Sequence, residues 1–238
     1  MTIASKVNIS LFGWYYIATI KKISYFMFSG IIQTVGEIQT CTKSGSDEGL
    51  RLSIKVKPEF SNFYIGESIC VNGVCLTVTE FNSNFFTVEV CNETLLKSNF
   101  NDIKVNDPVN LEKSLKLNDG ISGHLVSGHV DFVGRVTCIE PDGFSIRMGF
   151  LAHSDINKYL VPKGSIAING ISLTLVNVEP RGDEIYFDVA LIPHTLENTN
   201  LGKVKITDTV NLETDLIARH LAKIASAYLE NLAKLQSV

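Results

Sequence analysis

Three short segments of the chain place polar groups where a plain β-sheet core has no use for them. They are Gly66-Glu67-Ser68-Ile69-Cys70-Val71-Asn72-Gly73-Val74-Cys75-Leu76-Thr77, Gly123-His124-Leu125-Val126-Ser127-Gly128-His129-Val130-Asp131 and Lys163-Gly164-Ser165-Ile166-Ala167-Ile168-Asn169-Gly170-Ile171-Ser172-Leu173-Thr174. On an alternating strand Cys75 and Thr77 share one face, and so do Ser172 and Thr174. A thiol and hydroxyls on one face can hydrogen-bond the edge of a heterocycle. The same residues also suit a structural role, with Cys75 a small buried hydrophobe and the threonines ordinary strand formers. His124 and His129 stand five apart around Ser127-Gly128, a spacing that fits chemistry or two ordinary turn histidines. No third ligand sits at a zinc-like spacing, which argues against a metal site. The chain has no P-loop, no GxGxxG after a strand and no GxSxG.

The elements that must position these residues come in two copies. Ser29-Gly30-Ile31-Ile32-Gln33-Thr34-Val35-Gly36 aligns with Ser127-Gly128-His129-Val130-Asp131-Phe132-Val133-Gly134, and Val71-Asn72-Gly73-Val74-Cys75-Leu76-Thr77-Val78 with Ile168-Asn169-Gly170-Ile171-Ser172-Leu173-Thr174-Leu175. Glu93-Thr94-Leu95 matches His194-Thr195-Leu196, and Val109-Asn110-Leu111-Glu112 matches Val210-Asn211-Leu212-Glu213. The offset drifts from 97 to 101 between these blocks, which places about four extra residues near the turn carrying Pro180 and Gly182. A period near 100 residues is too long for a solenoid repeat and reads as two tandem domains of one fold. The expected division is 27–124 for the first domain and 125–214 for the second.

Each half is rich in strands. Leu50-Arg51-Leu52-Ser53-Ile54-Lys55-Val56 alternates with period two, and residues 85–90 and 184–189 are β-branched and aromatic. Asn72-Gly73, Asp119-Gly120, Asp142-Gly143 and Asn169-Gly170 are turn signals. The fold class expected is all-β: two tandem closed antiparallel Greek-key barrels related by internal duplication, plus a C-terminal amphipathic helix. Short helices are expected at 58–63 and 153–160. Ile217, Leu221, Ile224, Tyr228, Leu232 and Leu235 form one apolar stripe over 215–238, suited to packing on the barrels or to self-association.

Composition sets the outer limits. The 238 residues carry 21 Lys and Arg against 25 Asp and Glu, a net charge of −4, which argues against a nucleic-acid binder. With 45% hydrophobic and 19% charged residues, disorder is excluded as the main state. Five cysteines without CxxC pairs argue against a disulfide framework and favour a reducing compartment. Residues 1–26 stand apart: their only charges are Lys6, Lys21 and Lys22, so the remaining 18 basic and 25 acidic residues give −7. The apolar run within them is too short to span a bilayer. The expectation is a leader, either a disordered or mis-assigned extension before a start at Met27, an organelle-targeting segment or a peripheral membrane contact.

Met27-Phe28-Ser29-Gly30-Ile31-Ile32, Asn72-Gly73-Val74-Cys75-Leu76-Thr77-Val78, the Gly123 to Asp131 segment, Gly170-Ile171-Ser172-Leu173-Thr174 and Ile192-Pro193-His194-Thr195-Leu196 together resemble the riboflavin synthase family of the alpha-chain type. The resemblance runs in order from 27 to about 235 and includes the duplication. It departs at Ser122, where many members have Gly. It implies a transferase that dismutates two molecules of 6,7-dimethyl-8-ribityllumazine, by transfer of a four-carbon unit, into riboflavin and 5-amino-6-(D-ribitylamino)uracil. It also implies no metal and no organic cofactor, and a cytoplasmic homotrimer joined through the C-terminal helices. Its active site is expected between the first barrel of one subunit and the second of the next. An association with lumazine synthase is left open. A non-catalytic lumazine- or flavin-binding relative has the same barrels but would be expected to lose polar pocket residues. An oxidoreductase flavin domain would need a nucleotide-binding partner domain, and none follows.

Carried over residue by residue, the resemblance implies a first-barrel pocket made of Gly30, Ile31 and Ile32, of Cys75, Leu76 and Thr77, and of Glu89, Val90, Cys91, Asn92, Glu93 and Thr94. The second-barrel pocket would be Gly128, His129 and Val130, Lys163, then Ser172, Leu173 and Thr174, then Ala190, Leu191, Ile192, Pro193, His194 and Thr195. Ser68 and Cys75 are the expected nucleophile candidates, beside water, and His129 the expected general base.

Overall fold

The computed structural model describes residues 27–44 and 49–236. The expected leader, residues 1–26, lies outside them. Twelve strands close into two six-stranded antiparallel barrels. The first holds β1 (Thr34–Ser44), β2 (Gly49–Lys55), β3 (Ser68–Val71), β4 (Val74–Phe81), β5 (Phe85–Val90) and β6 (Pro108–Lys113), in the order 1-2-5-4-3-6 around the barrel. The second holds β7 (Phe132–Asp142), β8 (Ser145–His153), β9 (Ser165–Ile168), β10 (Ile171–Arg181), β11 (Glu184–Leu191) and β12 (Thr209–Thr214). Its order, 7-8-11-10-9-12, repeats the first strand for strand. Closure leaves no sheet edge exposed.

The turn chemistry read from sequence makes the tight hairpins. Asn72 and Gly73 (φ 46° and 83°) join β3 to β4, and Asn169 and Gly170 (φ 47° and 79°) join β9 to β10. Two residues both at positive φ are what a twisted two-residue hairpin demands. Register shifts at Ile38/Thr40 and Val78/Glu80 recur at Val136/Cys138 and Leu175/Asn177, so both barrels turn their corners at the same repeat positions. The extra residues of the second repeat lengthen the β10–β11 hairpin, which turns at Gly182. The short helices expected at 58–63 and 153–160 are 3-10 turns at Pro58–Phe60 and Ser154–Tyr159. Two six-residue helices, α1 (Asn92–Lys97) and α2 (Pro193–Asn198), follow β5 and β11.

Each barrel has its own apolar core. The first is built around Leu52, Ile54, Phe86, Phe100 and Leu111, the second around Met148, Phe150, Phe187, Val189 and Leu212, all fully or nearly fully buried. A third, small cluster of Phe28, Cys70, Val126 and Ala167 lies on the seam between them. There Phe28 and Val126 exchange backbone hydrogen bonds of 2.8 and 3.0 Å.

Beside that cluster, buried amides bridge the two barrels. Asn110 Nδ2 donates to the Asn169 carbonyl (3.0 Å) and to Asn200 Oδ1 (2.9 Å), and Asn211 Nδ2 donates to the Asn72 carbonyl (2.8 Å). Asn200 Nδ2 donates to Asn72 Oδ1 at 3.0 Å, and its backbone N–H to Asn110 Oδ1 at 2.7 Å. Asn72, Asn110, Asn169, Asn200 and Asn211 are all buried. A saturated amide network fixes one relative orientation of the barrels, which a greasy seam would leave free to slide.

After β12, α3 (Leu216–Gln236) leaves the second barrel. Ile217, Leu221, Ile224 and Tyr228 are each more than half exposed, so this stripe does not pack on its own barrels. Among the described residues no helix is long and apolar enough to cross a membrane.

Removing one member of the amide network strands its partners, at about 1–3 kcal/mol per buried group left unpaired. Asn110→Ala is therefore expected to lower the unfolding free energy by at least about 2 kcal/mol in urea titrations. The exposed Asn62→Ala should leave it unchanged. Equal midpoints for the two variants would show that the network does not hold the barrels.

Candidate active site

Two buried carboxylates organise the site. Glu112, at the end of β6, accepts from the backbone N–H and hydroxyl of Ser29 (both 2.8 Å) and from Gly30 N–H (3.0 Å). Glu213, at the end of β12, accepts from the N–H and hydroxyl of Ser127 (both 2.7 Å), from Gly128 N–H (2.8 Å) and from His129 N–H (3.1 Å). Burial pushes both carboxyls up, and the converging N–H donors pull them back toward the charged form.

These grips deliver each Ser-Gly segment to the other barrel. Gly30 carbonyl accepts from Ser172 N–H of β10, and Gly128 carbonyl accepts from Cys75 N–H of β4, both at 2.8 Å. Ile32 packs on the second core and Val130 on the first. The approach is backbone to backbone: a Cβ on Gly128 would lie 2.6 Å from Cys75 Cβ, and one on Gly30 2.7 Å from Ser172 Cβ. Both glycines also hold positive φ, 76° and 74°.

The contacts cross the implied pocket grouping: the Gly128-His129-Val130 segment lies against the first barrel, and the Gly30-Ile31-Ile32 segment against the second. The first pocket is a cavity of about 210 Å³ lined by Val74, Cys75, Glu93, Thr94, Lys97, Gly128, His129 and Val130. The repeat equivalents on the second side are Ile171, Ser172, His194, Thr195, Asn198, Gly30, Ile31 and Ile32. Of these, Ile32, His194 and Asn198 also line a larger groove of about 1050 Å³ that runs along the first barrel.

Leu76, Val90 and Leu191 point into the barrel cores, as alternation from Cys75, Glu89 and Ala190 requires. Leu173 is half-buried against the second core. Glu89 is exposed and pairs with Arg51 at 3.3 Å. Thr77 and Thr174 are exposed on the strand faces that carry Cys75 and Ser172. Lys163 sits exposed in the turn before β9 with φ 69°. Ile192 and Pro193 are exposed where α2 begins, and Asn92 opens α1. Cys91 caps α1, its thiol 3.3 Å from Thr94 Oγ1, and that hydroxyl holds the thiol below its usual range.

Ser68 lies buried behind Cys75, facing β4, and its hydroxyl hydrogen-bonds the Cys75 thiol. Burial nonetheless pushes that thiol up, so Cys75 is a neutral lining group at neutral pH and no ready thiolate. His124 is a partner the sequence left ambiguous. Its Nδ1 lies 2.7 Å from Ser172 Oγ, while its Nε2 is buried with no hydrogen-bond partner. Burial lowers its pKa, against a smaller opposing pull from Asp215. The grips of Glu112 and Glu213 were missed as site features, although a repeated Glu closing a repeated strand was visible in both copies.

Among the described residues no group of three or more His, Cys, Asp or Glu is placed to hold a metal ion. All five cysteines are free.

The Lumazine binding domain family matches residues 29–114 and again 127–215, one match per barrel. Riboflavin synthase of Actinobacillus pleuropneumoniae is 42% identical over 82% of this chain and 88% of its own length. That of Bacillus subtilis is 37% identical over 86% and 93%, and that of Saccharomyces cerevisiae 38% over 86% and 89%. The chain belongs to the riboflavin synthase family. Within that family's frame the fold also matches the crystal structure of LumP complexed with riboflavin, with a TM-score of 0.69 at 23% identity over 79% of this chain and 98% of that one.

The neutral state of His124 has a pH consequence. Its folded pKa lies below the unfolded value near 6.5, so between the two the unfolded chain binds more protons. Stability from this residue is thus complete above about pH 6.5 and is lost as pH falls. Urea midpoints at pH 7.5 and 5.5 should fall further for the wild type than for His124→Gln. Equal losses in both proteins would exclude His124 as the source; the raised Glu112 and Glu213 act alike in each.

Proposed function

We propose that the chain is a riboflavin synthase, which dismutates two molecules of 6,7-dimethyl-8-ribityllumazine into riboflavin and 5-amino-6-(D-ribitylamino)uracil. The observation that carries the reading is the pair of equivalent Ser-Gly crossings, one onto each barrel, the first of which closes a cavity beside Cys75. Two copies of one substrate call for two copies of one pocket. The products together contain every atom of the two substrates, so the exchange of the four-carbon unit needs no outside oxidant or reductant.

The reaction needs a carbanion, formed when the C7 methyl of one lumazine loses a proton, and an electrophilic C7 on the other. His129 stands at the mouth of the first pocket with Glu93 and Lys97, and is the general base in this reading. The neutral Cys75 thiol hydrogen-bonds the ring edge, Ser68 orients it, and water adds at C7 of the acceptor. In the second pocket Ser172, oriented by His124, takes the place of Cys75. Holding the two rings at attack distance can supply up to about 7–11 kcal/mol of the barrier.

In this reading the pocket that faces the first is supplied by a second copy of the chain. The exposed stripe on α3 is the surface that supports assembly, as a homotrimer in this reading. The cytoplasm is the compartment that suits five free thiols.

The test is purified protein with the lumazine and no added cofactor. One riboflavin per two lumazines consumed is expected, unaffected by chelators, with His129→Gln lowering kcat by at least about tenfold. Tight binding without turnover would instead mark a lumazine-binding protein. Truncation after Asp215 should lower both self-association and turnover. A fully active monomer would reject the shared site.

A further inference from the structure

The two carboxylate grips are equivalent in backbone geometry and unequal in what stands behind them. Arg219, in the first turn of α3, reaches back to both acids of the second grip. Its Nη1 is 2.9 Å from Asp131 Oδ1 and its Nη2 is 3.5 Å from Glu213 Oε1. Asp131 in turn accepts from the N–H and hydroxyl of Thr214 at 2.9 and 2.8 Å, so the guanidinium ties the loop after His129 to the end of β12. In the first repeat Asp131 is replaced by Gln33, whose Oε1 accepts only from Lys113 N–H at 3.1 Å. The Lys113 ammonium faces away, toward Glu67 and the Asn62 carbonyl. Among the described residues, then, Glu213 has a cation and Glu112 has none.

The placement of Arg219 on its helix adds direction to this. At 100° per residue it lies roughly opposite Ile217, Leu221, Ile224 and Tyr228. One face of α3 is therefore free to meet another copy, while the other holds the grip on His129.

We propose that Arg219 is a positioning residue: through Glu213 and Asp131 it fixes the backbone of Ser127-Gly128-His129 and so couples the seating of α3 to the His129 side of the first pocket. The proposal rests on the functional reading above for its activity readout. A planar guanidinium can serve two carboxylates at once, which an ammonium cannot do with the same geometry. The pocket that carries His129 is thus the one whose frame answers to the assembly helix.

Charge makes the coupling measurable. The groups facing Glu213 are Arg219 from α3, Asp131 and His129 from the connecting segment, Cys70 from β3 and Cys75 from β4, with Glu112 on the far side of Cys70. Burial already pushes the Glu213 carboxyl up, and Arg219 is the cation that opposes it. Without Arg219, Glu213 protonates at a higher pH and releases acceptor capacity from the loop.

The experiment compares Arg219→Gln, Arg219→Lys and the surface control Arg181→Gln as full chains. Arg219→Gln should lower kcat about tenfold at neutral pH and move the acid limb of the kcat profile upward by at least about half a pH unit. Arg219→Lys should recover part of both, and Arg181→Gln should match wild type. Amide hydrogen exchange of the peptide spanning 125–131 should speed up in Arg219→Gln, a readout that does not depend on turnover. Should the wild type prove inactive while this exchange still rises, the functional reading fails and the coupling stands. An unmoved acid limb with unchanged exchange overturns the proposal, as does activity that returns fully when raised protein concentration restores assembly.

Discussion

The structure depends on the burial of two carboxylates, Glu112 and Glu213, at the closing ends of equivalent strands. A carboxylate taken out of water is costly unless its lone pairs are met, and hydrogen bonds to a charged group are worth about 1.5–3 kcal/mol each. Both acids meet that demand with backbone N–H groups of a Ser-Gly segment. The donors lie on segments just ahead of β1 and β7, so burying each acid obliges an otherwise irregular strip of chain to run through the seam. Once there, each strip offers one carbonyl, from Gly30 or Gly128, to a strand of the opposite barrel. The crossing, the seam and both pockets follow from satisfying those two charges.

The duplication explains the shape of the pockets, and the departures from it explain how they can differ in role. At equivalent positions one pocket has Cys75, Glu93, Lys97 and His129, while the other has Ser172, His194, Asn198 and Ile31. One therefore carries an acid, a base and a cation around its mouth; the other carries hydroxyl and amide groups with a single histidine. A dismutation uses one molecule as donor and its twin as acceptor, and a protein can separate these roles only by making the two sites unlike. The backbone is held the same by the repeated glutamates and asparagines, so the differences lie in side chains at the crossings and in the groups behind the two glutamates.

Much of this was legible in the chain. The two Asn-Gly dipeptides announced hairpins that the backbone forms at positive φ, and the nearly constant offset announced two copies of one barrel. The crossing was not legible, because an alignment of repeats equates Gly30 with Gly128 without saying on which barrel either one sits. That is settled by contacts 53 and 142 residues apart, Gly128 with Cys75 and Gly30 with Ser172, which local pattern does not encode. The roles of Leu76 and Val90 were blurred for a different reason. A motif carries every residue of a strand together, whereas alternation sends every second one into the core. The short helices expected at 58–63 and 153–160 form as 3-10 turns at Pro58–Phe60 and Ser154–Tyr159, segments too short for a pattern of polar and apolar residues to tell 3-10 from α.

The crossed segments also bear on why two barrels stay in one chain. A first barrel ending before residue 127 would keep Cys75, Glu93 and Lys97 but lose the strip that fills the rest of its pocket. A second copy of that barrel could offer only its own Ser29-Gly30-Ile31, which would bring Ile31 to the place of His129. That position would then carry an aliphatic side chain and no histidine. Only a second, diverged repeat supplies the histidine while keeping the Ser-Gly geometry that the buried glutamate requires. The amide seam then holds the two repeats in the one orientation in which each strip reaches its strand. Divergence after the glycine, together with the Cys75/Ser172, Glu93/His194 and Lys97/Asn198 differences, turns a symmetric frame into one with two chemically distinct sides.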